Sequence, residues 1–156
     1  MVDHLSEEKR SWNMSRIKSG NTKPERIVRS LLHRKGLRFR LHKKELPGKP
    51  DIVLPKHRTA IFIHGCFWHR HKGCKDATMP KSNISFWVKK LSGNAERDKR
   101  KYRELKKAGW QVIVIWECEV EKSPDTSVEK ILRFLHQPSP VPIMLIAAED
   151  KSSNQA

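Results

Sequence analysis

Long apolar runs are absent from this 156-residue chain, since none approaches the roughly 18 residues that a membrane-spanning helix needs. The N-terminal residues also lack the apolar segment of a signal peptide. We therefore expect a cytoplasmic protein with no membrane partner. Its hydrophobic fraction of 37% and charged fraction of 32% are typical of a globular chain, and its length predicts one domain.

Acidic residues are scarce, with 17 Asp and Glu against 33 Lys and Arg, which leaves a formal net charge of +16. The excess is uneven, because residues 1–116 carry 29 basic and 10 acidic side chains, and residues 117–156 carry 4 and 7. A domain this basic repels itself unless it meets a polyanion, so nucleic acid is the leading partner. Charge alone also allows a ribosome-like protein or one that is merely soluble and basic.

Cysteine is rare, and its three positions are Cys66, Cys74 and Cys118. An odd number of cysteines in a cytoplasmic chain argues against a disulfide framework. Metal ligation is the better explanation for the close pair at 66 and 74.

The segment 60–74 holds the most reactive residue types in the chain. Four apolar residues, 60–63, run directly into three histidines, two cysteines and two large aromatics within residues 64–74. A buried strand that ends in such a cluster is where an α/β protein places its chemistry.

The remaining pattern predicts an α/β protein in which helices pack on a mixed sheet. Thr22 and Glu25 form a capping box that starts a helix, and Gly36 ends it. We expect an arm at 1–21 that folds onto a partner, a folded domain at 22–136, and a partly disordered tail at 137–156. The other predicted elements are strands at 39–41, 51–54, 59–64 and 111–116, and helices from 82 to a break at 92–93, from 95 to 108, and from 126 to 136.

Two packing predictions follow from apolar periodicity. The strand at 111–116 is continuously apolar, so we expect it to be central and covered on both faces. In the helix that begins near Ser82, helical spacing favours a core position for Trp87 and an exposed position for Phe86. The apolar positions at that spacing are Ile84, Trp87, Val88 and Leu91.

The cysteines and one histidine form a candidate zinc site. Cys66, His71 and Cys74 are close in sequence, and Cys118 at the end of the last strand can supply a fourth ligand. Three thiolates and one imidazole are a common tetrahedral zinc set, and four protein ligands make the ion structural. Such an ion would attach the loop 65–80 to the last strand. The spacing is not that of a standard zinc finger, and buried free cysteines with surface histidines are the alternative.

Asp51 indicates a metal site of a different kind. An acid at the start of a strand, followed about a dozen residues later by a strand with polar residues at its end, is typical of magnesium-dependent nucleases. A hard cation prefers oxygen ligands, keeps several waters and bridges to phosphate. In this hypothesis His69 suits a general base, His64 contacts phosphate or supports a metal-bound water, and Asp98 orients a histidine or holds such a water.

Less specific explanations exist for the same acids. Asp51 follows a Pro-Gly-Lys-Pro turn, and a turn often contains an acid. Glu25 is already explained by helix capping. Asp98 is four residues from Tyr102, so it is also explained as its helical partner or as a solvated acid.

Several blocks of this sequence form a distinctive set. They are Pro47-Gly-Lys-Pro-Asp51, Phe62-x-His64-Gly-Cys-Phe-Trp-His69, Phe86-Trp87, Asn94-x-Glu-Arg-Asp98 and Gly109-Trp110 with Trp116-Glu-Cys118. Together they resemble the very-short-patch repair endonucleases, which are DNA mismatch nickases with a restriction-endonuclease-like fold. The resemblance runs from about Asn13 to Val120, and it implies a three-layer α/β/α fold with a central mixed sheet and an embedded structural zinc site.

The resemblance implies a magnesium-dependent endonuclease that nicks duplex DNA on the 5′ side of the mispaired T of a T:G mismatch, the product of 5-methylcytosine deamination. Asp51 and the main-chain carbonyl of Ile63 would bind Mg²⁺, His69 would be the general base, and His64, Asp98 and Glu25 would assist through water or phosphate. The soft ligands Cys66, His71, Cys74 and Cys118 would hold Zn²⁺. The DNA-contacting positions would be Phe67, Trp68 and Trp87 as wedges from one groove, Met14 and Ile17 from the other, and Lys90 and Asn94 at the mismatched bases.

The resemblance also implies a monomer in the bacterial cytoplasm, associated with the nucleoid, for which mismatch-repair proteins are candidate further partners. Two departures from the best-known members stand out. Ile63 replaces a hydroxyl residue before His64, and the loop from His71 to Cys74 is one residue longer than in some members. Two other functions remain open at this point, namely a non-catalytic zinc-containing DNA-binding module and a nuclease of the same fold without mismatch specificity.

Overall fold

The computed structural model describes residues 6–9 and 20–137. Met14, Ile17, most of the predicted arm and nearly all of the predicted tail lie outside the described residues. Within the described part, no helix is both long enough and apolar enough to span a membrane.

A four-stranded mixed sheet organises the domain. The strands are β1 (Arg40–Leu41), β2 (Ile52–Leu54), β3 (Thr59–His64) and β4 (Gln111–Trp116), in the order β1-β2-β3-β4. β1 and β3 pair antiparallel with β2, and β3 pairs parallel with β4. β2 and β3 are buried along their whole length, whereas β4 is an edge strand among the strands that the structure describes. Within the described residues, the prediction that 111–116 is central was therefore wrong, because a continuous apolar run reports coverage by helices and not the number of paired neighbours.

Between residues 20 and 137 the sheet is accompanied by four helices: α1 (Lys23–Arg34), α2 (Ile84–Lys107), α3 (Glu117–Lys122) and α4 (Pro124–Leu135). Short 3-10 turns lie at Pro55–His57 and Lys75–Ala77. The predicted start of α1 is confirmed, since Thr22 Oγ1 accepts the Glu25 N–H at 3.5 Å. The sequence did not predict α3, because six residues are too few to show a helical period.

The two faces of the sheet carry different helices because alternate residues of a strand point to opposite sides. Ile61 and Ile63 of β3 pack in the cluster that includes residues of α1, α3 and α4. Ala60 and Phe62 pack in a second cluster with Leu105 of α2. The sheet therefore lies between helices on both faces.

Helix α2 differs from the prediction in two respects. It runs without interruption from 84 to 107, so Ser92–Gly93 does not break it and Asn94 caps no separate helix. An internal glycine costs a helix only about 1 kcal/mol relative to alanine, and packing overcomes this cost. Of the predicted core positions only Leu91 is buried, whereas Ile84 and Val88 are 54% and 43% exposed.

Candidate active site and metal centre

Asp51 lies beside the carboxyl end of β3. The antiparallel register pairs Ile52 with Ile61, so the residue before β2 stands next to the end of β3. Asp51 Oδ2 accepts the Ile63 N–H at 2.7 Å. Burial raises the pKa of Asp51 to about 7, and the neighbouring Glu25 acts in the same direction, against the stabilising Ile63 N–H. The sheet thus holds a carboxylate in an environment where a cation would favour its charged form.

A histidine pair and an acid form a second group near this strand end. His69 Nδ1 lies 2.6 Å from Asp98 Oδ2, so the loop after β3 is joined to α2. The His64 ring stacks on the His69 ring, with centroids 3.6 Å apart and an interplanar angle of 12°. Tyr102 is not the partner of Asp98, because its hydroxyl hydrogen-bonds to His64 Nε2.

The hydrogen bond to Asp98 bears on which nitrogen of His69 carries the proton. A carboxylate at Nδ1 favours the tautomer with the proton on Nδ1, which leaves the Nε2 lone pair available to accept a proton. Burial, together with the adjacent His69, lowers the pKa of His64 to about 3, so His64 is a neutral support for the stacked ring. His69 is near enough to Asp51 to lower the pKa of that acid, which places the two groups at the same end of the sheet.

Glu25 lies at the same end of the sheet, together with a residue that sequence reasoning missed. Glu25 is buried, and one of its oxygens accepts the Asn21 N–H at 3.0 Å. Ligand atoms of Glu25, His42 and Asp51 lie within 4.8 Å of one another. His42 follows β1, which has only two residues, and so short a strand gives no pattern from which its pairing can be predicted.

The three cysteines and His71 converge as expected, with their four ligand atoms within 4.8 Å of one another. His71 Nδ1 lies 3.4 Å from Cys118 Sγ, and the His71 ring stacks on Trp116 with centroids 4.1 Å apart. Burial raises the pKa of Cys66 to about 12, so a positive charge is needed to ionise it. The donor set therefore suits zinc. Cys118 lies two residues after the end of β4, in the first turn of α3.

An aromatic cluster lies beside the loop that follows β3. The centroid of the Phe67 ring lies 5.1 Å from that of Trp68 and 5.4 Å from that of Trp87, and all three residues are half-buried. Phe86 contacts Trp87 and is 55% exposed, which agrees with the exposure that periodicity favoured for it. Asn94 donates a hydrogen bond to the Trp68 carbonyl at 3.1 Å, so α2 holds the loop in place.

Lys90 lies on the exposed surface of α2, in the turn that follows Trp87. Together, α2 and the loop after β3 carry every DNA-contacting position predicted within the described residues, namely Phe67, Trp68, Trp87, Lys90 and Asn94.

The chain is similar in sequence to known DNA endonucleases and nicking enzymes. The family model described as DNA mismatch endonuclease Vsr matches residues 2–76. Type II nicking enzyme V.XorIIP of Xanthomonas oryzae pv. oryzae is 49% identical over 139 residues, which are 89% of this chain and 100% of that protein. DNA mismatch endonuclease Vsr of Escherichia coli is 39% identical over 135 residues, 85% of this chain and 86% of that protein. Type II nicking enzyme V.NaeI of Lentzea aerocolonigenes is 40% identical over 132 residues, 81% of this chain and 78% of that protein.

Proposed function

Because the chain belongs to the Vsr family of DNA mismatch endonucleases and is a DNA-nicking enzyme, we propose that it nicks duplex DNA 5′ to the mispaired T of a T:G mismatch. This nick would start the repair of deaminated 5-methylcytosine. One observation carries the proposal, namely that three groups meet at the end of β3 and the loop after it. Asp51 is hydrogen-bonded to the end of β3, while the His69–Asp98 pair and the aromatic cluster include residues of the loop. Family membership also supports a restriction-endonuclease-like fold for the sheet and its two helical layers.

The residues around Asp51, at the end of β3, fit a divalent cation. Asp51 and Glu25 offer carboxylate oxygens, and the main-chain carbonyl of Ile63 would be a further oxygen ligand. The Ile63 side chain lacks a hydroxyl, but a carbonyl ligand does not depend on the side chain. When bound, Mg²⁺ would polarise the scissile phosphate and stabilise the leaving oxygen.

The side chains of this chain would carry the remaining steps. His69 would take the proton of the attacking water at Nε2, with Asp98 holding the ring through Nδ1. His64, fixed by Tyr102, would support the His69 ring from one face. Cys66, His71, Cys74 and Cys118 would hold a structural zinc ion away from the chemistry.

Mismatch selection would come from the aromatic cluster. Phe67, Trp68 and Trp87 would insert between base pairs, which unstacks the duplex locally. A T:G wobble pair costs less to unstack than a matched pair, so insertion favours the mismatch. Lys90 and Asn94 of α2 would contact the mismatched bases, while Met14 and Ile17 would approach from the other groove.

Trp68→Ala is expected to reduce the preference for T:G over T:A roughly tenfold or more, since one base–aromatic stack is worth about 1–3 kcal/mol. The measurement is single-turnover nicking of labelled duplexes that differ only at this pair, with Mg²⁺ or with a chelator. Phe86→Ala is the matched control, because Phe86 is exposed and lies in the same cluster, but the wedge does not include it.

The same nicking measurement on the parent protein distinguishes the competing functions. A non-catalytic DNA-binding module would bind both duplexes and cut neither, with or without Mg²⁺. A nuclease without mismatch specificity would cut T:A as fast as T:G. An unchanged preference in the Trp68 variant would show that the wedge is wrong.

Asp98→Asn is expected to lower the single-turnover nicking rate about 10²-fold, because a misaligned general base loses most of its effect. DNA affinity should stay within about twofold, since Asp98 faces His69 and carries no positive charge toward phosphate. Asp125→Asn, an exposed acid in the first turn of α4, is the control and should nick normally. Equal loss of affinity and rate would mean that Asp98 serves only to keep the loop folded.

A further inference from the structure

The group of Glu25, His42 and Asp51 brings together three segments that are separate in the sequence. Glu25 comes from the first turn of α1, His42 follows β1, and Asp51 precedes β2. Their ligand atoms all lie within 4.8 Å of one another. The mechanism proposed above uses Asp51 and Glu25 but gives His42 no task.

The Nε2 atom of His42 is buried and has no hydrogen-bond partner among the residues that the structure describes. It lies 3.4 Å from Glu25 Oε2 without forming a hydrogen bond, although 34% of the His42 side chain as a whole is exposed. A buried polar atom without a partner is unfavourable, so a native structure that contains one needs an explanation.

The backbone holds the ring of His42 in this position. The His42 N–H donates to the Asp51 carbonyl at 3.3 Å, so the two residues are fixed to each other. His42 has a φ of 45°, in the left-handed region that His, Asn and Asp adopt more readily than most residues. A Cβ at Gly20 would lie 3.1 Å from His42 Cε1, so the absence of a side chain at Gly20 makes room for the ring.

We propose that His42 Nε2 is a third side-chain ligand, with Asp51 and Glu25, of the divalent cation at this edge of the sheet. The cation's part in the reaction rests on the function proposed above, whereas the binding site itself does not. Carboxylates alone suit Mg²⁺, whereas an imidazole nitrogen improves binding of transition-metal ions. This site therefore binds Mn²⁺ through nitrogen and oxygen, while Mg²⁺ depends on the oxygen ligands and on water.

The competing explanation is a simple ion pair between His42 and Glu25. An ion pair would stabilise the fold and leave metal affinity unchanged. The 3.4 Å separation without a hydrogen bond argues against it, because a paired imidazolium directs its N–H at the carboxylate.

The test is Mn²⁺ binding by the full-length, zinc-loaded protein without DNA, followed by the electron paramagnetic resonance of free Mn²⁺. His42→Asn tolerates the left-handed backbone but has a side chain too short to reach the site. We expect this variant to bind Mn²⁺ about tenfold or more weakly and Mg²⁺, measured by competition, within about twofold of the parent. Pulsed resonance should detect a directly bound nitrogen in the parent and not in the variant.

His33→Asn is the matched control, since His33 is exposed and lies about 12 Å further along α1 than Glu25. It should bind Mn²⁺ like the parent. Equal Mn²⁺ affinity in the parent and the His42 variant, or a persistent nitrogen signal, would overturn the proposal, and a lowered melting temperature alone would favour the ion pair. If the parent protein nicks no duplex, the proposed function is wrong, but the conclusion from Mn²⁺ binding is unaffected.

Discussion

Replacing Asp51 by Asn is expected to lower the nicking rate at a T:G mismatch by at least about 10³-fold. The amide keeps the shape of the side chain and can still accept the Ile63 N–H, which lies 2.7 Å from Oδ2, so the strand end should stay folded. What it loses is the negative charge that holds a divalent cation beside the phosphate. Affinity for the mismatched duplex in the presence of chelator should change by no more than about twofold, since phosphate contacts depend on Lys and Arg.

The measurement pairs single-turnover nicking with fluorescence anisotropy of the same labelled duplex. Asp125→Asn again serves as the control, because it removes one negative charge from an exposed position in the first turn of α4. If the Asp51→Asn variant nicks at more than a tenth of the parent rate, Asp51 is not required for the reaction. A variant that fails to bind DNA would instead assign Asp51 a structural task.

Replacing Cys118 by Ser is expected to abolish stoichiometric zinc binding and to lower the melting temperature by roughly 10 °C or more. Burial raises the pKa of both Cys66 and Cys118, so these thiols are neutral unless a cation is bound. A variant that no longer binds zinc therefore loses the metal–ligand bonds that stabilise the cluster. His69 lies in the loop between two of the zinc ligands, so nicking should fall as well. Zinc content by elemental analysis and thermal melting with and without chelator provide the measurement.

Cys118→His is the matched variant, because an imidazole can replace a thiolate as a zinc ligand. It should retain more zinc and a higher melting temperature than Cys118→Ser. If Cys118→Ser binds a full equivalent of zinc and melts like the parent, then the ion, where present, uses other ligands. If the parent itself contains no zinc after purification without chelator, the cluster is a group of buried thiols.

Features that depend on neighbours in the chain were predictable. Cys66, His71 and Cys74 lie within nine residues, so their convergence needs only the loop after β3. Asp51 reaches Ile63 across a short hairpin, because β2 and β3 are joined by a single 3-10 turn. The start of α1 was correct for the same reason, since a cap involves residues only three apart.

Features that depend on distant packing were mistaken or missed. Helix α2 continues through 92–93 because the loop after β3 is attached to it, with Arg70 donating to Ser92 and Asn94 donating to the Trp68 carbonyl. Periodicity measures only the preference of the segment itself, so it gave a break there. Exposed Ile84 and Val88 show the same limit, since helical spacing does not reveal whether a partner covers the face.

The amino-acid sequence by itself determined the residue types, the strand that ends at His64, the soft ligands close together in the loop, and the basic charge. The tertiary structure alone decided that Tyr102 hydrogen-bonds to His64, that β4 lies at the edge of the described sheet, and that His42 joins Glu25 and Asp51. The physical reason is range. Turns, caps and strand alternation are set by free energies of adjacent residues, whereas these contacts form only after the sheet has paired and the helices have packed on its two faces.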